Sequence, residues 1–299
     1  MQKTPTVLVP IDFSRASGAG LRFALQWASQ QKIALVCLHV VNILRPTSWS
    51  DARYRKFANA EKQRHFQQLR AYVDSICKRA AGPAPDIALV LVEALSPDIA
   101  LGQYCRRRKD IDYICMGTKG AGGLKQLFGT HTGNVIRHAG TPVIAVPESY
   151  RRQPIRRILY GSDLADYAPE VRRLIEFAEP LKAKLRALHI SYLGEPWRDE
   201  ETLSALFKKQ FRYPLDVSIV HAEPNLSVAR NLQRQIVAFK PSMVVLFTQH
   251  RPSALQKLLY PSVAERISFR PKTPLLVFPK PGRQAAARRR RGASAAANR

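Results

Sequence analysis

The chain repeats itself, and this repetition limits most strongly the folds that it can adopt. Three stretches of the first half recur in the same order in the second half: VLVPIDFS as RRILYGSDLAD, CLHVV as ALHIS, and TPVIAVP as TPLLVFP. The first pair places Asp163 opposite Asp12 at an offset of 151 residues, and the last pair has an offset of 132 residues. The duplication predicts two units of similar fold, and the second unit is shorter.

Short apolar runs alternate with helix-like segments in both units. The runs at residues 5–11 and 33–41 are rich in β-branched residues, which is typical of buried parallel strands. A long helix predicted at about residues 51–80 has only the short EETLSALFKKQF as its counterpart in the second unit. We therefore expect the second unit to be shorter because this helix is shorter. The alternation predicts an α/β fold with parallel sheets and ligand sites at the carboxyl ends of the strands. We predict a first domain over residues 1–149, a second over 155–280 and a disordered basic tail over 281–299.

A glycine-rich loop joins the last two strands of the first unit. It follows the apolar run that ends at Met116, and a helix-like segment begins after it at about His131. The loop region contains Gly117, Gly120, Gly122, Gly123 and Gly129. Glycine lets a ligand approach the main-chain N–H groups closely, and the start of a helix favours an anion. The order strand, glycine loop, helix therefore predicts a phosphate site, although such glycines could also form only a flexible crossover.

These residues resemble the nucleotide-binding branch of the universal stress protein family. The motif of that branch is G-x2-G-x9-G-[ST], and this chain has Gly117, Gly120, Gly129 and Thr130 with a long spacer one residue shorter. The family's first strand also ends in an acidic residue, which here is Asp12. The resemblance implies two tandem parallel-sheet sandwiches of the Rossmann-like, adenine nucleotide alpha hydrolase-like type.

The resemblance also implies where a nucleotide would bind. The adenine and ribose would lie near Pro10, Asp12, Val40 and Met116, and the phosphates near Gly117, Gly120, Gly129, Thr130 and His131. The expected ligand is ATP, with or without Mg²⁺. Asp12 offers acceptors to a ribose or an adenine amino group, and Val40 and Met116 offer apolar contact to a flat base. The apolar pair would also suit any buried strand, and Asp12 could simply shape a turn.

The second unit lacks the glycine loop. Alignment of the repeats puts Phe247 at Gly117, His250 at Gly120, and Tyr260 and Pro261 at Gly129 and Thr130. Because side chains replace the glycines, we expect no nucleotide there. The resemblance implies instead that the second domain packs against the first as the subunits of the family's homodimers do. Whether two whole chains also form a homodimer is left open.

Catalytic features are absent from the sequence. It has no G-x4-G-K-[ST] motif and no nucleophile with an adjacent base, and we interpret His39 and His189 as buried structural residues. The four cysteines are expected to be reduced packing residues. The N-terminus has no signal-peptide pattern, and no apolar run is long enough to insert into a membrane. We expect a cytoplasmic, non-enzymatic regulatory protein that hydrolyses ATP slowly at most.

The net charge of +26 supports an alternative function. Both units have more basic than acidic residues, and the tail contains a run of four arginines, Arg288, Arg289, Arg290 and Arg291. Such a charge attracts nucleic acid and other polyanions without reading sequence. The alternative is a scaffold that binds polyanions weakly through its basic surface and tail, without a nucleotide.

Overall fold

The computed structural model describes residues 4–80, 85–118, 130–165, 167–193, 198–247 and 272–279. The strands within these ranges are β1 (Thr6–Pro10), β2 (Ala34–Val41), β3 (Asp86–Glu93), β4 (Ile111–Thr118), β5 (Val143–Pro147), β6 (Arg157–Gly161), β7 (Lys184–Ser191), β8 (Leu215–His221), β9 (Met243–Phe247) and β10 (Leu275–Phe278). The helices are α1 (Arg15–Ala28), α2 (Asp51–Cys77), α3 (Pro97–Arg107), α4 (Thr130–His138), α5 (Tyr167–Ala178), α6 (Glu200–Phe211) and α7 (Val228–Phe239). None of these helices is long and apolar enough to cross a membrane.

The described strands form one ten-stranded sheet in the order β3-β2-β1-β4-β5-β10-β9-β6-β7-β8. The first five strands are parallel to one another, and the last five repeat the same order, as the duplicated sequence predicts. The α/β fold class is therefore confirmed. The way in which the two sheets join was not predicted: β5 and β10 pair antiparallel, with Ile144 opposite Leu276.

The ends of the helices follow from local sequence. Ser14 precedes α1, and its hydroxyl accepts a hydrogen bond from the Ser17 N–H at 3.1 Å, which caps the helix. The long helix α2 has 27 residues, whereas its counterpart α6 has 12. The shortening expected in the second unit therefore does fall at this helix.

Aromatic side chains pack between the two halves. Trp27 of α1 is 1% exposed, and its ring contacts those of Tyr113 and Phe177 edge to face, each at 5.1 Å between centroids. Phe177 belongs to α5 of the second half, and the ring centroid of Phe278 in β10 lies 6.4 Å from that of Tyr113. We call these four residues the aromatic junction. It joins the halves through side chains, in addition to the main-chain pairing of β5 with β10.

Candidate functional site

Three of the predicted base-site residues lie on one face of the sheet. In the register, Leu8 pairs with Ile114 and Pro10 pairs with Leu38. Because side chains alternate along a strand, Pro10, Val40 and Met116 then point to the same face as Leu8. This face packs against α3 and α4, and Met116 is 7% exposed within that cluster.

The same residues lie where the strand order reverses. Strand β1 has β2 on one side and β4 on the other, and all three carboxyl ends meet at one edge. In open parallel sheets, such a reversal leaves a crevice in which ligands bind. The structure thus brings Pro10, Val40 and Met116 together in the place where a flat base could contact them.

Asp12 follows β1 and shapes the turn into α1. Its Oδ1 accepts a hydrogen bond from the Ser14 N–H at 3.0 Å, and Phe13 has a φ of 62°. Burial acts to raise the pKa of Asp12, but hydrogen bonds from Ser14 and Ser17 outweigh it, so the pKa lies below its usual value. The exposed carboxylate is therefore an anion that can accept hydrogen bonds from a ligand.

The second half forms the same turn. The Ala165 N–H donates to Asp163 Oδ1 at 3.0 Å, and Leu164 has a φ of 58°. Asp163 therefore shapes a turn. Because Asp12 makes the same bond, its place after the strand alone does not distinguish a ligand-binding carboxylate from a turn residue.

Gly117 has a packing role that the glycine motif did not reveal. A Cβ atom on Gly117 would lie 1.6 Å from the Ala16 carbonyl oxygen of α1, and one on Gly20 would lie 2.9 Å from the Gly117 nitrogen. The position that a side chain of residue 117 would occupy is therefore filled by α1, on the sheet face opposite Met116. The sequence signal was Gly20 in α1, because a glycine there allows close approach of helix and strand.

The rest of the predicted phosphate site is described only in part. Helix α4 begins at Thr130, as the sequence predicted for the end of the glycine loop. The backbones of Thr130 and His131 form its first turn. Gly120 and Gly129 lie outside the described residues. On the next turn, the Asn134 amide donates to Asp98 at the start of α3 at 2.7 Å, which ties the two helices together.

His39 is buried and hydrogen-bonded, as expected of a structural histidine. Its Nδ1 donates to the Ile11 carbonyl at 2.7 Å, and in the second half His189 Nδ1 lies 3.1 Å from the Ser162 carbonyl. Because a carbonyl only accepts, neutral His39 carries its proton on Nδ1. Its Nε2 then accepts from His65 Nδ1 of α2 at 3.2 Å, a contact that the sequence did not predict.

His39 should make the protein less stable in acid. Burial lowers the pKa of His39, and His65 acts in the same direction, against the Ile11 carbonyl and Asp12. An unfolded histidine has a pKa of about 6.5, so below that pH the unfolded chain binds the proton more readily. We expect the free energy of unfolding to fall from pH 7 to pH 5, and to fall less steeply in His39→Gln. Urea titrations at several pH values would measure it, with exposed His221→Gln as control; equal slopes in parent and His39→Gln would refute this account.

The strand residues of the site recur in the second half. The register of β6 with β9 places Leu246 at Met116 and Phe247 at Gly117, while β7 places Ile190 at Val40. The rings of Phe247 and Phe278 stack with their centroids 4.8 Å apart, on the face of the sheet opposite Leu246. The ring of Phe247 therefore lies on the side that packs against α5, and not on the side that corresponds to the predicted base site. His250, Tyr260 and Pro261 lie outside the described residues. The second half thus keeps apolar residues at the positions of Val40 and Met116 but has Phe247 in place of Gly117.

Comparison with known proteins agrees with this fold. The universal stress protein family matches residues 3–147. A universal stress protein from Archaeoglobus fulgidus has a similar solved structure, with a TM-score of 0.65 and 12% identity over 94% of this chain and 100% of its own. A Pseudomonas aeruginosa protein described as functionally unknown has a TM-score of 0.55 and 15% identity over 92% of each chain. No curated protein matches the sequence. The first half of the chain therefore matches the universal stress protein family, and the whole chain has the fold of its members.

Proposed function

We propose that the protein is a regulatory stress-response protein that binds one adenine nucleotide in its first half. The ligand is ATP, with or without Mg²⁺, and it is bound without efficient hydrolysis. The base contacts Val40 and Met116 beside Pro10, Asp12 accepts from the ribose or the base, and the phosphates bind at Gly117, Gly120, Gly129, Thr130 and His131. The protein acts in the cytoplasm.

One observation carries this proposal: an apolar face and an ionised carboxylate meet at the reversal of the strand order. Val40 of β2 and Met116 of β4 lie on the two strands that flank β1, and Asp12 lies two residues after the end of β1. Helix α4 starts at Thr130, so its free N–H groups begin where the glycine motif ends. Since Gly117 faces α1, it supports the site by holding α1 close and contributes only its main chain.

The second half serves as a built-in partner and not as a second site. The antiparallel pairing of β5 with β10 and the aromatic junction support this arrangement. The domains would then be residues 1–149 and 155–280, followed by the tail at 281–299. The loop sequence of the second half, with Tyr260 and Pro261 where the first half has Gly129 and Thr130, supports a single nucleotide per chain.

The twin turns provide a matched test of the site. Asp12→Ala and Asp163→Ala each remove a carboxylate that accepts a main-chain hydrogen bond at 3.0 Å. Their effects on stability should therefore be similar, whereas only Asp12→Ala should weaken ATP binding, by about tenfold or more, since hydrogen bonds to charged groups contribute about 1.5–3 kcal/mol. Calorimetric titration of ligand-free protein would measure this. ATP affinity that is unchanged in Asp12→Ala, or lowered equally in both variants, would contradict the proposed site.

A further inference from the structure

A cleft rich in arginine lies between α1 and the end of α2. It has a volume of about 480 Å³, and its walls include Arg15, Arg22, Arg79, Tyr72, Ile76 and Glu148. A smaller cavity of about 90 Å³ shares Arg22, Ile76 and Arg79 and adds Arg152. We call the larger cavity the arginine cleft. It lies on the α1 and α2 side of the sheet, whereas Val40 and Met116 lie on the other side.

The cleft has an excess of positive charge. Arg15, Arg22 and Arg79 are exposed, and within the described part of the chain none of them forms an ion pair. Glu148 is the one carboxylate among the described lining residues, so within this part of the chain three guanidinium groups face a single acidic group. A ligand that balances this charge must carry more than one negative charge.

One hydrogen bond and the absence of a side chain at Gly18 determine the shape of the cleft wall. The Tyr72 hydroxyl donates to the Ser14 carbonyl at 2.7 Å, which fixes α2 against the start of α1. A Cβ atom on Gly18 would lie 2.8 Å from the Tyr72 hydroxyl oxygen and 3.2 Å from Arg22 Nη1. The bare main chain at Gly18 therefore leaves room for the phenol and the Arg22 guanidinium side by side.

We propose that the arginine cleft binds a small anion with two or more linked phosphate groups. The planar guanidinium group donates paired hydrogen bonds that match phosphate oxygens, and several arginines can share the oxygens of neighbouring phosphates. The volume of the cleft is within the range of small-molecule sites. This site is separate from the proposed nucleotide site and does not depend on it.

Titration with inorganic tripolyphosphate tests the inference. In calorimetry the parent should bind it saturably, Arg22→Gln with Arg79→Gln should bind at least tenfold more weakly, and Arg106→Gln with Arg107→Gln should stay within twofold of the parent. The control pair is equally exposed and removes the same charge from the last turn of α3. The inference is overturned if binding does not saturate, if both pairs weaken it equally, or if the cleft pair leaves it unchanged, as binding at the glycine loop would.

A second measurement covers the case in which the cleft variant folds poorly. Hydrogen exchange of the parent protein with and without tripolyphosphate should show added protection in residues 15–22 and 72–79. Protection confined to other segments would also overturn the inference. Neither result bears on the comparison of Asp12→Ala with Asp163→Ala, so the two proposals can fail independently.

Discussion

Replacing Gly117 with alanine is expected to lower the free energy of unfolding by about 3–5 kcal/mol, at the upper end for a single substitution. The added methyl group would lie 1.6 Å from the Ala16 carbonyl oxygen and 2.8 Å from the Ser17 nitrogen. Both are main-chain atoms, so α1 would have to move as a whole. Urea unfolding followed by circular dichroism would measure the loss.

Gly102→Ala is the matched control. Among the described residues, a Cβ atom at Gly102 would meet only the flexible end of Arg106, at 3.4 Å, and Gly102 lies within α3. Alanine in a helix is favoured over glycine by about 0.5–1 kcal/mol, so this variant should be as stable as the parent or more stable. If Gly117→Ala were as stable as Gly102→Ala, the result would contradict the close packing of α1 on β4. A contact of Gly117 with a ligand would then be the remaining reason for a glycine at this position.

Trp27→Ala is expected to destabilise the protein by about 3–5 kcal/mol, as for other buried aromatic residues. Trp27 is 1% exposed and contacts Tyr113 of its own half and Phe177 of the other half. The cavity would therefore open within the aromatic junction and weaken the contact between the halves. Far-UV circular dichroism during urea unfolding would measure the change.

Trp49→Ala provides the comparison at the surface. Trp49 is only partly buried and packs against Phe57 and Arg53 near the start of α2. We expect Trp49→Ala to lower the free energy of unfolding by about 1 kcal/mol or less, because the indole ring is only partly buried. A loss in Trp27→Ala no greater than in Trp49→Ala would show that the halves do not share this core.

The sequence predicted what depends on local patterns. The repeat of VLVPIDFS and the apolar runs defined the strands, and the changing offset located the shortened helix. The positions of Val40 and Met116 also followed, because they lie near the ends of strands that the pattern had identified. Each of these features depends on the residues of one short stretch of the chain, or on the comparison of two such stretches.

Features that join distant parts of the chain were not predictable in this way. An apolar run such as TPLLVFP does not indicate which other strand it will pair with, so the antiparallel pairing of β5 with β10 was not predicted. The glycine motif indicated a ligand at Gly117, but the packing of Gly117 on α1 depends on atoms about 100 residues away in sequence. The arginine cleft likewise needs Arg79 of the region after α2 beside Arg22 of α1.

The stoichiometry of ATP binding tests the central claim most directly. The second half has apolar strand residues and a turn aspartate at the equivalent positions, so the prediction that the halves differ depends on Phe247 in place of Gly117 and on the loop sequences. Equilibrium titration of protein freed of bound nucleotide should give one ATP per chain, and Asp12→Ala should weaken binding at this site by about tenfold or more. A value of zero, or two equal sites per chain, would contradict the account.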